Sequence, residues 1–294
     1  MRPPFECHGL TKHNGAVTAL DQVTLRLGEG SLVGLIGRNG SGKTTLLHHA
    51  AGLVLPSSGS CRTLGVASGE LTSRELAQIG FVPQDVRLLG WLRVESHVAY
   101  VASFYDRWDR NLEARLFAEL ELDPGRRVGE LSKGDLQKLA LILAVCHRPK
   151  LLLLDEPVSA FDPIARERLL RFLMERLAED GSTIIISSHV LRDVERVVDH
   201  VLCLHRGALV ADASLDELQE TYVEWEVAAR GEPLPSAFPE PFILEQQVNC
   251  RSARLEVHAG AEQLEEFRRR HQVEVVVRPL SLDRIFPWLL GGAR

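Results

Sequence analysis

Apolar positions along this chain fall into two patterns. In one they form short unbroken runs: Ser31-Leu32-Val33-Gly34-Leu35-Ile36, Lys150-Leu151-Leu152-Leu153-Leu154-Asp155 and Ser182-Thr183-Ile184-Ile185-Ile186-Ser187. Runs without alternation predict strands buried on both faces. In the other pattern they recur at helical spacing. Between the second and third runs, Ile164, Leu169, Leu170, Leu173 and Leu177 predict a helix over 163–180, with Gly181 as its stop. Strand, helix, strand in this order implies a right-handed crossover and a parallel sheet, hence an α/β core.

Residues 85–130 carry helical periodicity and aromatics (Trp91, Tyr100, Phe104, Tyr105, Trp108, Phe117) with no clear strand, and predict a helical insertion, about 85–145 in all. After about residue 218 the pattern changes again. Tyr222–Ala228 alternates, 242–258 reads as a hairpin, 262–270 as a short helix and 272–277 as a further strand. The expected organisation is a core domain over 1–218 and a small α+β domain over 219–294. The longest apolar run, Leu139–Cys146, has eight residues, against about 20 for a membrane-spanning helix. The first residues lack the apolar stretch of a secretory signal. The expectation is a chain with no membrane segment of its own.

Composition narrows the class without naming a function. With 45% hydrophobic and 25% charged residues, the chain is neither disordered nor a coiled-coil rod. Its net charge of -6 makes no electrostatic case for a nucleic-acid partner. The five cysteines (Cys7, Cys61, Cys146, Cys203, Cys250) are scattered and form neither a disulfide framework nor a metal site.

Chemistry enters with Gly37-Arg38-Asn39-Gly40-Ser41-Gly42-Lys43-Thr44, which follows a predicted strand and opens a helical stretch beginning at Thr45. Glycines there let the backbone curl so that successive N–H groups face a phosphate, and the helix adds its positive end. Lys43 can reach the β- and γ-phosphates, and the Thr44 hydroxyl can complete a Mg2+ shell. Downstream, the predicted strand Leu151–Leu154 delivers Asp155 and Glu156 to its C-terminal end. Two adjacent carboxylates there are expensive unless they bind something. Asp155 is the candidate Mg2+ ligand and Glu156 the candidate to polarise an attacking water. Between these elements, Leu131-Ser132-Lys133-Gly134-Asp135 opens an apolar helix. Ser132 and Gly134 there make a ready anion site, although taken alone an N-cap is the favoured reading of Ser132.

With Gln84 in Phe81-Val82-Pro83-Gln84, Asp162 in Ser159-Ala160-Phe161-Asp162 and His189 in Ser187-Ser188-His189, the ordered set resembles the nucleotide-binding subunits of ATP-binding cassette (ABC) transporters over roughly residues 5–218. The resemblance implies a P-loop ATPase that uses ATP and Mg2+. It implies that Gln84 ligates Mg2+ and senses the γ-phosphate, and that His189 contacts the γ-phosphate and steadies Glu156. Read alone, His189 after a β-branched strand is equally a strand-end cap. It further implies a head-to-tail dimer, of two identical chains by expectation. Ser132 and Gly134 of one copy would close over the ATP held by Gly37–Thr45 of the other, with Asp162 at the seam. A transmembrane permease would dock near Asp85–Glu95, placing the chain at the cytoplasmic face of a bacterial inner membrane.

The chain departs from the family pattern in three places. Lys133 and Asp135 alter the usual L-S-G-G-Q signature, Asn14 stands where Tyr commonly stacks on adenine (leaving His13 as a substitute), and Phe161 replaces Leu. Lys43, Asp155, Glu156 and His189 are retained, so hydrolysis is expected. A binding-only subunit is the reading that Asp135 alone would favour. The tail, Pro279 to Phe286 followed by Trp288-Leu289-Leu290-Gly291-Gly292, resembles that of ATPases driving two-half-permease exporters. An amphipathic helix packing on its own domain explains it equally. Arg268-Arg269-Arg270 reads as a solvated helix face, with anionic lipid as the alternative. An ABC ATPase acting on nucleic acid or ribosomes is the competing class; the long coiled-coil arms, zinc clusters or paired cassettes of such proteins are not seen here.

Overall fold

The computed structural model describes residues 3–158 and 161–291. These fall into two compact units, divided between Asp212 and Ala213. In the first unit, β1 (Phe5–Asn14) and β2 (Val17–Arg26) form an antiparallel hairpin, and β3 (Leu32–Ile36) runs fully buried to the phosphate loop and α1 (Lys43–Ala50). The chain returns through β4 (Ser58–Thr63), antiparallel to β1, and β5 (Val66–Ala67). Then come α2 (Ser73–Leu76), β6 (Ile79–Val82) and the helices α3 (Val94–Ala102), α4 (Arg110–Glu119) and α5 (Lys133–Val145). The core resumes with β7 (Leu151–Asp155), α6 (Pro163–Asp180), β8 (Thr183–Ser188), α7 (Leu191–Glu195), β9 (His200–His205) and β10 (Ala208–Ser214).

Six strands make the central sheet in the order β10-β9-β3-β8-β7-β6. Strand β3 is parallel to β8 and β9, and β7 is parallel to β6 and β8, as the strand–helix–strand pattern predicts. Every residue of β3, β7 and β8 is buried. The register sets Ile36 beside Ser188 and Asp155 beside Ser187, so the C-terminal ends of the three strands lie level. On α6, Leu169, Leu170 and Leu173 are buried, whereas Ile164 is 65% exposed. The second sheet, β2-β1-β4-β5, escapes the apolar-run pattern because its strands are half-exposed and interrupted by bulges. The helical insertion over α3–α5 is observed, with a single isolated bridge between Arg93 and Arg127 among the described residues. No helix among the described residues is long and apolar enough to cross a membrane.

The second unit contains α8 (Leu215–Thr221), β11 (Tyr222–Ala229), β12 (Ile243–Val248), β13 (Ser252–His258), α9 (Ala261–His271), β14 (Val273–Pro279) and α10 (Leu282–Leu289). Its antiparallel sheet runs β12-β13-β11-β14. One face buries Trp225 against Phe242 and Phe267 at ring distances of 5.5 and 5.1 Å. The tail helix α10 packs on this unit's own sheet: Arg284 binds Glu224 and Glu256 (both 2.6 Å), and Trp288 Nε1 donates to Glu256 (2.7 Å). The arginine triplet is also tied down locally. Arg268 donates to the Val275 carbonyl, Arg269 to the Glu265 carbonyl, and Arg270 faces Glu240 at 3.5 Å.

Candidate active site

The phosphate loop leaves β3 through Gly37 (φ 154) and enters α1 through Gly42 (φ 108). A Cβ at Gly37 would lie 2.4 Å from Ser41 Oγ, and one at Gly42 would lie 2.5 Å from the Ala19 carbonyl, so only glycine closes the turn. Among the described residues no side chain caps α1. Its first N–H groups, from Lys43, Thr44 and Thr45, therefore remain available to an anion. Arg38, Asn39 and Gly40 are exposed on the loop. Ser41 is buried, and its Oγ has no hydrogen-bond partner among the described residues.

Lys43 lies beneath this loop, 6% exposed, donating to the Gly37 carbonyl (2.9 Å) and standing 3.8 Å from Glu156. Burial pushes its ammonium below the usual lysine value, against the pull of Glu156 and Asp155. Asp155 ends β7, one strand removed from the loop strand. Its Oδ1 accepts from Ser187 Oγ (2.7 Å), while its buried Oδ2 has no partner among the described residues. The Glu156 N–H donates to the same Ser187 Oγ (2.9 Å). Glu156 adopts a left-handed backbone (φ 50) that turns its side chain across the strand ends. There Gln84 Nε2 donates to Glu156 Oε2 (3.3 Å), and His189 Nδ1 lies 3.1 Å from the same oxygen.

Lys43, Gln84, Asp155, Glu156 and His189 thus converge at the C-terminal ends of β3, β6, β7 and β8, where ligands bind in open α/β sheets. Two participants escaped the sequence reading. Ser187 joins the two carboxylate residues, and Gln137 on α5 donates to the Glu156 carbonyl (3.4 Å). The Asp155–Ser187 register would have revealed the first, but strand pairing is not written in a motif.

The other candidates have local duties. Ser132 caps α5, accepting from the Asp135 N–H (3.1 Å). Burial would raise the Asp135 carboxyl. Ser132, Lys138 (3.4 Å) and Arg126 (3.2 Å) outweigh that and hold it below the ordinary aspartate value. The negative charge at this signature position is therefore matched within its own chain. Asp162 accepts from the N–H groups of Ile164 (2.9 Å) and Ala165 (3.0 Å) at the start of α6; Ser159 and Ala160 lie outside the described residues. His13 Nδ1 lies 3.1 Å from Thr18 Oγ1 on the exposed β1–β2 hairpin, and Asn14 ends β1.

A family model described as ABC transporter matches residues 20–159. The bacitracin transport ATP-binding protein BcrA of Enterococcus faecalis is 30% identical over 233 residues, 78% of this chain and 76% of that one. The chain belongs to the ABC transporter ATP-binding family. Within that family, the Nod factor export ATP-binding protein I of Rhizobium sp. (strain N33) is 30% identical over 297 residues, covering 96% of this chain and 95% of that one. A solved ATP-binding subunit of an ABC transporter aligns with a TM-score of 0.67 at 30% identity, over 73% of this chain and 91% of the other. A dimeric cassette in a post-hydrolysis state, bound to ADP and Pi, aligns with a TM-score of 0.64 at 25% identity, over 72% of this chain and 98% of the other. The chain is thus an ABC ATPase, built on the P-loop α/β fold.

Proposed function

We propose that this ATPase powers a separate transmembrane permease, in the direction of export, and that two copies close on ATP. The observation that carries the catalytic part is Glu156, buried yet held by Lys43, Gln84 and His189 beside an unpartnered Asp155 oxygen. In this reading Lys43 exchanges the Gly37 carbonyl for phosphate oxygens, and the N–H groups of Gly40–Thr45 cradle the same phosphates. The donor set of Asp155 Oδ2, the Thr44 hydroxyl and Gln84 suits Mg2+, which when bound neutralises charge on the phosphate oxygens. Glu156 orients and deprotonates the attacking water, and His189 keeps that carboxylate in place. Ser132 and Gly134 of one copy close over the nucleotide of the other, with Asp162 at the seam; the nucleotide-binding domain expected over 1–218 is the unit that ends at Asp212, and the accessory domain expected over 219–294 is the unit that begins at Ala213. Export is supported by the near full-length likeness to a Nod factor export protein, and closure by the dimeric cassette bound to ADP and Pi.

Glu156→Gln should lower turnover by at least about 100-fold while an ATP-bound dimer accumulates in size-exclusion chromatography. Wild-type hydrolysis in that variant would remove Glu156 from the role. Docking of the permease near Asp85–Glu95 is supported by Trp91, 70% exposed. It is also supported by a nearby apolar groove of about 320 Å3 lined by Leu53, Phe81, Val86, Leu88 and Tyr105. Charged residues in place of Trp91 and Leu92 should uncouple transport and spare the ATPase dimer. Intact transport would end the docking claim. Through such a permease the chain would sit at the cytoplasmic face of a bacterial inner membrane.

A further inference from the structure

The two edges of the C-terminal sheet are finished differently. Along β12, the Gln246 side chain bonds both the N–H (2.8 Å) and the carbonyl (3.1 Å) of Phe238, and the Leu234 N–H bonds the Cys250 carbonyl. The segment 231–242 therefore wraps that edge. Beyond β14 there is no strand among the described residues. The Leu280 N–H donates to the Tyr222 carbonyl, so by alternation Arg278, Val276 and Glu274 turn their backbone groups toward β11, and Val277, Val275 and Val273 turn theirs outward. Arg268, donating to the Val275 carbonyl at 2.8 Å, marks that outward direction. Val276 and Val277 are 57% and 40% exposed, and an open concavity of about 690 Å3 runs beside Val275 and Val276, lined in part by Arg230, Arg268 and Gln272. An edge strand that no further strand covers is a template for another strand.

The edge also complements itself. In Val273-Glu274-Val275-Val276-Val277-Arg278-Pro279, a two-fold axis through Val276 sets Glu274 of one copy opposite Arg278 of the other, twice, with valine facing valine between. Moving the axis to Val275 or Val277 matches neither charge. The current partners, Arg230 for Glu274 (3.4 Å) and Glu226 for Arg278 (3.1 Å), form exposed pairs that compete weakly.

We infer that β14 pairs antiparallel with β14 of a second copy of this chain, centred on Val276 and without need of nucleotide. Val275 and Val277 exchange N–H···O bonds across the axis. The Val275 carbonyl keeps a lone pair for this beside Arg268. Pro279, lacking an N–H, ends the ladder. This contact is additional to the ATP-dependent closure proposed above and does not rest on it.

The test uses the full chain carrying Cys250→Ser, which removes the one exposed cysteine among the described residues, together with Val276→Cys. Without nucleotide, mild oxidation should give a disulfide-linked dimer, because directly opposed residues of this class sit about 4.5 Å apart at Cα. Sedimentation of the wild-type chain should show a dimer whose dissociation constant rises at least about tenfold in Glu274→Arg. The double exchange Glu274→Arg/Arg278→Glu should restore it. Several results would each overturn the inference: a nucleotide-free monomer, a dimer indifferent to Glu274→Arg, cross-linking only to another protein, or cross-linking at Val276→Cys no faster than at the similarly exposed Val17→Cys. None of these touches the ATP-trapped dimer of Glu156→Gln, so the two readings fail separately.

Discussion

The parallel sheet of the first unit and the antiparallel sheet of the second place their polar groups by opposite rules. Strands β7 and β8 are buried throughout, and their chemistry is confined to the C-terminal ends, at Asp155, Glu156, Ser187 and His189. Strand β11 alternates: Val223, Trp225 and Val227 are buried, while Glu224 and Glu226 face away and pair with Arg284 and Arg278. Charge on the second sheet is therefore met by neighbours in the same unit, and such half-solvated pairs contribute little individually. At the strand ends of the first sheet, Ser41 Oγ and Asp155 Oδ2 are buried and have no partner among the described residues, a cost that a bound ligand would relieve. The contrast separates a polar surface that serves folding from a polar cluster that serves chemistry.

Trp225→Ala puts the largest strain on this contrast. It empties the centre of the second core and should cost about 3–5 kcal/mol, read in a thermal scan as a lower transition for the second unit alone. A single transition moving as a whole would mean that the two units unfold as one. Lys43→Ala should act in the reverse way, leaving the fold and weakening ATP binding by about 100-fold, roughly 2.7 kcal/mol. Calorimetric titration showing unchanged affinity would take the phosphate loop out of the site.

The smallest effect is expected at Asp135. Asp135→Asn should cost at most about 1 kcal/mol near neutral pH. The carboxyl of the folded chain titrates below its unfolded value of 3.8, so its stabilisation is full above that pH and disappears as pH falls through the folded value. The gap between wild type and variant in urea midpoints should close in that acid window, and a gap constant with pH would refute the charge-pairing account.

What could be read in advance follows the same division. Unbroken runs such as Leu151–Leu154 announce buried parallel strands, because burial on both faces leaves no room for alternation. Strand β4, Ser-Gly-Ser-Cys-Arg-Thr, has no apolar run, and β6 is four residues long. Both owe their pairing to distant strands, which local patterning does not encode. In the site, loop and carboxylate residues are visible because their spacing is set by one turn each. Ser187 and Gln137 act through register and helix packing, and Asp135 looks like an intruding charge until Arg126 and Lys138 are seen beside it.

The left-handed backbone at Glu156 (φ 50) has a bearing on how this sequence can drift. A side chain other than glycine or asparagine in that conformation costs about 1–2 kcal/mol. Heat alone, used as a selective pressure, would therefore favour glycine or asparagine there, and either change silences the proposed base. Libraries ranked by thermal resistance should lose the ATPase at this codon early, whereas libraries ranked by turnover should hold glutamate and accumulate compensating changes elsewhere.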